Sequence, residues 1–183
     1  MALLVPDLIA AAGVAGRTCL GLVFLAAAAQ KFRHWRILPG VIANYRLLPR
    51  ALVAPASALL PPLELVLGAM LLSGFAQGWT ALAAVLLLAL FIAAMAINLR
   101  RGRMDIDCGC GQSFLKQTLS WTLVTRNAVL AALLLPSLGT SAPAPMPILV
   151  AGSSAGLAFF LLYLLLNIIC ALPRLPARGH RFA

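Results

Sequence analysis

Acidic residues are almost missing from this chain: four in 183, beside fourteen Lys and Arg, with charged residues of either sign making up only 10%. A soluble domain carries about a quarter charged residues, so an ordinary water-facing surface is excluded. No paired carboxylates, glycine-rich phosphate loop or Ser-His-Asp grouping stands out. Hydrolytic and nucleotide-driven chemistry therefore lack the residues that would carry them. No internal repeat, second soluble domain or flexible linker is visible either.

What the chain has in quantity is apolar, 63% of it. The apolar residues come in runs at 8–29, 51–73, 78–98, 119–138 and 147–170. Each is close to ~20 residues, enough at about 1.5 Å rise per residue to cross a hydrocarbon core of about 30 Å. Segments in lipid must satisfy their own backbone groups, so these runs are expected to be helices. The expected fold is all-α: a polytopic helical membrane bundle of about five transmembrane helices, forming a single integral membrane domain over 1–183. The start, MALLVPDL, has no basic residue and carries Asp7, and the first run holds Arg17, so that run is expected to be a retained helix rather than a cleaved signal peptide.

The net charge of +10 is unevenly placed. Lys31, Arg33, Arg36, Arg46 and Arg50 fall in the first connection, Arg100, Arg101, Arg103 and Lys116 in the third, and Arg174, Arg178 and Arg181 in the tail. The second and fourth connections have none. Alternation of this kind is the positive-inside pattern of an inner-membrane protein, with N-terminus periplasmic and C-terminus cytoplasmic. It speaks for the lipid bilayer and against nucleic acid as the partner. It also requires an odd number of crossings, which retains run 119–138 despite Arg126 and Asn127. Arg126 is expected near the inner end, snorkelling toward the interface. The first connection, KFRHWRILPGVIANYRLLPR, mixes Phe32, Trp35 and Tyr45 with cations and suits the headgroup region or a docking surface. The fourth, PSLGTSAPAPMP, reads as a short stiff turn.

The candidate chemistry centres on RMDIDCGCGQ, where Cys108 and Cys110 flank Gly109. Closing a disulfide across one residue makes a small strained ring, which Gly109 and Gly111 ease. Strained bridges are readily reduced, which suits exchange better than architecture. A metal site drawing on Asp105, Asp107, His34 and Cys170, and a polar turn with incidental cysteines, are the alternatives. None of these residues stands at a standard zinc spacing, so no metal and no resident cofactor are expected. Cys170, at the end of the last run, and Cys19, within the first, are weaker redox candidates. Arg17 and Glu64 fall at about equal depth, ~14 Å from the outer face by rise per residue. They are expected to form a buried ion pair, either fixing helix packing or lining a proton or cofactor site. Pro61 and Pro62 free backbone acceptors beside it. Asn98, Asn127 and Asn167 are expected to bond between helices or cap ends, and Gly152 with Gly156 to bring the last helix close to a neighbour.

Taken together these residues resemble the MauE family of methylamine utilisation, relatives of the DoxX-like membrane proteins. The likeness covers residues 17 to about 112: Arg17, Lys31, Tyr45-Arg46-Leu47-Leu48-Pro49, Glu64, and Asn98 through Gly102-Arg103 to Cys108-Gly109-Cys110-Gly111. It implies a four-helix DoxX-like core plus one helix. It further implies a role in processing, export or disulfide formation of the periplasmic methylamine dehydrogenase small subunit, beside the thioredoxin-like partner MauD. The Cys108–Cys110 pair would be the thiol–disulfide element. The chain departs from an expected CGCFG, having CGCGQ. A scaffold for the partner and a quinone- or small-molecule-binding protein resting on Arg17 and Glu64 are the other roles considered. Because the charge pattern sets Cys108 and Cys110 on the cytoplasmic side of a periplasmic substrate, either the loop folds back into the bundle, with Cys19 as a relay, or the pair is structural.

Overall fold

The computed structural model describes residues 4–103, 119–139 and 144–171. They form α1 (Leu4–Arg33), α2 (Leu38–Asn44), α3 (Arg50–Ser73), α4 (Gln77–Arg100), α5 (Trp121–Leu133), α6 (Leu135–Leu138) and α7 (Met146–Ala171). Among the described residues five spans are long and apolar enough to cross a membrane, α5 and α6 together making the fourth. Among the described residues the fold is all-helical, as the apolar runs require.

Local sequence explains the breaks. Pro49 is extended (φ −57°, ψ 146°) just before α3, and its ring also disfavours helix at Leu48. At the other end Gly74 closes α3 in the left-handed conformation (φ 70°), where a side chain would be strained. Pro136 cannot donate to the turn before it, so the fourth span breaks at Leu134 and restarts as α6. Pro55, Pro61 and Pro62 lie inside α3; the last two leave the carbonyls of Ser57 and Ala58 without their usual amide donors.

The first connection is more structured than a surface-lying loop. Helix α1 runs through Lys31 to Arg33, a turn beyond the apolar run, and α2 packs back on α3. Part of the expected fourth turn is likewise buried: Ser137 is inaccessible and its hydroxyl donates to Gly13 O at 2.9 Å.

Helix α1 is the centre, packing on α3, α5, α6 and α7, while α4 closes the group against α3, α5 and α6. The main core joins Cys19, Leu20, Val23 and Phe24 of α1 to Leu67, Leu71, Leu87, Leu88, Leu130 and Leu134. Lipid offers no hydrophobic drive between helices, so close approach depends on small residues. Gly21 and Gly68 face each other, a Cβ on Gly68 coming within 3.0 Å of Gly21 O. Gly16 lies so close to α5 that a Cβ would fall 2.0 Å from Leu133 O. Helix α7 lies outside this four-helix core, parallel to α1, with Gly152 on Val14 and Gly156 on Ala15 and Thr18. Much of its other surface is exposed, Leu161, Leu162, Leu165 and Leu166 included. Such a surface suits lipid.

Antiparallel α1, α3 and α4 bring the first connection and the end of α4 to the same end of the bundle. Lys31, Arg33, Arg36, Arg46, Arg50, Arg100, Arg101 and Arg103 gather there; we call it the basic end. Gly74, Phe75 and Gln77 mark the far end.

Candidate functional site

The buried face of α1 repeats at Arg17, Leu20, Phe24, Ala28 and Lys31, steps of three and four residues that fall on one side of a helix. Two cations thus share the stripe that packs into the bundle. Lys31 reaches Glu64 of α3, with Nζ 2.8 Å from Oε1. The pair is almost closed to solvent, Lys31 being 7% and Glu64 1% exposed. The ammonium also lies 5.9 Å from the centre of the Phe91 ring of α4, within cation–π range. The second oxygen, Glu64 Oε2, is buried with no hydrogen-bond partner among the described residues. A buried carboxylate oxygen left over in this way is expensive, and it can accept one more proton or donor.

The pairing corrects the expected Arg17–Glu64 bridge. Gly21 faces Gly68, so Glu64 stands level with residue 25 of α1, eight residues or about 12 Å from the level of Arg17. Side chains tilt toward the N-terminus of their own helix. In antiparallel α1 and α3 that turns Lys31 and Glu64 toward each other and turns Arg17 away. Arg17 points to the far end, where its Nη1 lies 3.1 Å from the position of a Cβ on Gly74. The sequence signal for Lys31 was its place on the Leu20–Phe24–Ala28 stripe; the apolar run ending at Ala29 concealed it.

Phe91 packs against both the main core and a second cluster of Met95, Leu99, Leu119, Leu123, Tyr45 and Val124 at the basic end. Asn98 organises the close of α4. Its amide donates to Ala94 O at 3.0 Å, its Oδ1 accepts from Arg103 Nη1 at 3.3 Å, and its carbonyl accepts from Arg103 N at 3.0 Å. The chain is therefore pinned at Arg103 before the Cys108–Cys110 segment and at buried Leu119 after it. Cys108 and Cys110 themselves lie outside the described residues, as do Asp105 and Asp107. Asn127 points its amide at Met95 Sδ, 4.0 Å away.

Cys19 is a free thiol, 1% exposed in the main core. Cys170 belongs to the last turn of α7, and the α1–α7 register sets it near the level of Lys31, about 18 Å along the axis from Cys19. The structure does not bring these two together. Arg126 is held between helices: Nη1 donates to Asn167 Oδ1 and the guanidinium lies 5.3 Å from the Tyr163 ring centre. It tethers α7 to α5. No group of three or more metal-ligating side chains occurs among the described residues.

A four-helix core with one appended helix, apolar outside and holding a buried lysine–glutamate pair, defines a multi-pass helical membrane protein. The profile described as Methylamine utilisation protein MauE matches residues 9–140. Over 141 residues the chain is 42% identical to Methylamine utilization protein MauE of Paracoccus denitrificans, covering 77% of this chain and 75% of that protein. The protein of the same description from Methylorubrum extorquens is 42% identical over 151 residues, 80% and 81% of the two chains. That of Paracoccus versutus is 38% identical over 160 residues, 86% of each. The chain belongs to the MauE family and is a methylamine utilisation protein. No solved structure matches it significantly.

Proposed function

We propose that this protein supports maturation of the periplasmic methylamine dehydrogenase small subunit by thiol–disulfide exchange with a thioredoxin-like partner of the MauD type. In this reading it lies in the inner membrane with the basic end cytoplasmic. The observation that carries the reading is the pinning of both stems of the Cys108–Cys110 segment, at Arg103 and Leu119, over the end of the bundle that buries Lys31 and Glu64. Exchange needs two thiols held near each other on a chain whose ends do not drift. Closing Cys108 on Cys110 releases two electrons and two protons, which convert the partner's disulfide to two thiols; the reverse transfer oxidises the partner.

The test replaces Cys108, Cys110 or both by Ser in cells growing on methylamine. Each variant is expected to insert normally while active dehydrogenase falls at least tenfold. Full enzyme production by the double variant defeats the redox role. Side-specific alkylation of the pair in spheroplasts and inverted vesicles tests the orientation.

A second reading, a scaffold that docks the partner without exchanging electrons, is favoured by the stacked rings of Phe32 and Trp35. Their centres are 6.2 Å apart, both are substantially exposed, and Arg33 and Arg36 lie beside them. In that case Trp35→Ala lowers enzyme production more than Cys108→Ser.

A further inference from the structure

The far end of the bundle has a feature that thiol exchange at the basic end does not use. Helices α1 and α7 rise past the α3–α4 turn and leave a cleft of about 420 Å³ between them and that turn. Its wall includes Arg17 and Thr18 of α1, Ser73, Gly74 and Gln77 of the turn, and Ser153 of α7. Arg17 is only 6% exposed, yet its guanidinium is aimed at the cleft. A Cβ built on Gly74 would meet Arg17 Nη1 at 3.1 Å and Gln77 Nε2 at 3.5 Å. Two side-chain donors, one of them charged, therefore converge on the bare face of a glycine. That glycine also needs its positive φ of 70°, so the turn itself keeps the approach open. Thr18, Ser73 and Ser153 line the same space, the Ser73 and Ser153 hydroxyls donating to Met70 O and Leu149 O of their own helices.

The depth of the cleft is marked by Phe75 and Trp79, which are 67% and 78% exposed on the adjoining surface. Exposed aromatic rings at the end of a span sit at headgroup level. A fork of guanidinium donors suits a tetrahedral oxyanion, and the volume lies in the range of small-molecule sites.

We propose that this cleft is a phosphate-binding site, taking either the phosphodiester headgroup of a phospholipid or a soluble phosphate, with Arg17 and Gln77 as the principal donors. The cleft would then give the protein a specific anion contact at the membrane face opposite the basic end.

The test uses the full-length protein purified in detergent, as wild type, Arg17→Gln and Ser153→Phe. The second variant fills the cleft from the exposed side of α7 and leaves Arg17 in place. Phosphatidylglycerol is titrated and bound lipid counted by native mass spectrometry; inorganic phosphate is titrated separately and followed by thermal unfolding. One lipid held per wild-type chain, with affinity at least tenfold lower in both variants, supports the site with a lipid source. A phosphate-dependent rise in Tm that both variants lose supports it with a soluble source. Equal binding by all three proteins overturns the proposal. So does loss in Arg17→Gln alone, because the cleft is then not where the anion sits. Absence of both lipid and phosphate binding by the wild type overturns it as well.

Discussion

Replacing Glu64 by Gln keeps the shape of the side chain and removes its charge, leaving the Lys31 ammonium buried beside an amide. At 2.8 Å and an effective dielectric of about 20, the Coulomb attraction is about 6 kcal/mol. Desolvation of two ions offsets much of it, so the measurable loss on breaking a buried pair is about 3–5 kcal/mol. Removing both charges, as in Lys31→Met/Glu64→Gln, is expected to cost clearly less than the sum of the two single losses, with a coupling energy of at least about 2–3 kcal/mol, the top of the usual range for contacting residues. Arg17 stands about 12 Å along the axis from Glu64, where the same dielectric leaves only about 1 kcal/mol. A double-mutant cycle of Arg17→Gln with Glu64→Gln should therefore show coupling of less than half the Lys31 value. Reversible unfolding by SDS in mixed micelles, read from tryptophan fluorescence, supplies the free energies. Coupling below about 0.5 kcal/mol for Lys31 and Glu64, or a larger value for Arg17 and Glu64, refutes the register on which the site is built.

Three further outcomes follow from packing and anchoring. Gly16→Ala would set a Cβ 2.0 Å from Leu133 O, forcing α1 and α5 apart, and should cost about 3 kcal/mol in the same unfolding assay. Gly156→Leu meets Ala15 O and Thr18 Cβ, both 2.6 Å from a Cβ. It is expected to loosen α7 while the four-helix core persists, visible as an early unfolding step absent from the wild type. Asn98→Ala removes the acceptor of Arg103 Nη1 and should cost about 1 kcal/mol, with several-fold faster tryptic cleavage after Arg103.

The helices were legible because apolar runs of bilayer length have few alternatives, and lipid forbids most of them. Gly152 and Gly156 likewise announced the docking of α7, since a small-residue stripe has little other use in a span. The partner of Glu64 was not legible from depth alone. Counting residues from the ends of the runs placed Arg17 opposite Glu64, but α1 extends past Ala29 to Arg33 and the side chains lean along their helices. Both effects shift the reach of a long charged residue by a turn or more. Ser137 was hidden for a related reason: its neighbours read as loop, and only the α6 turn after Pro136 carries it back to Gly13. Arg126 was expected to snorkel toward the interface, whereas its contacts are Asn167 and Tyr163 of α7. Short helix α2 offered no hydropathy signal at all, being seven residues packed on α3.

The most direct measurement is mixed-disulfide trapping. Cys19→Ala and Cys170→Ser remove the other thiols, and Cys108→Ser or Cys110→Ser leaves one cysteine of the pair to capture its partner. A reductant-sensitive covalent complex with the thioredoxin-like protein, formed by at least one single-cysteine chain and absent when both residues are Ser, is the expected result. No complex from either chain, together with normal dehydrogenase maturation in the double variant, contradicts exchange at Cys108 and Cys110.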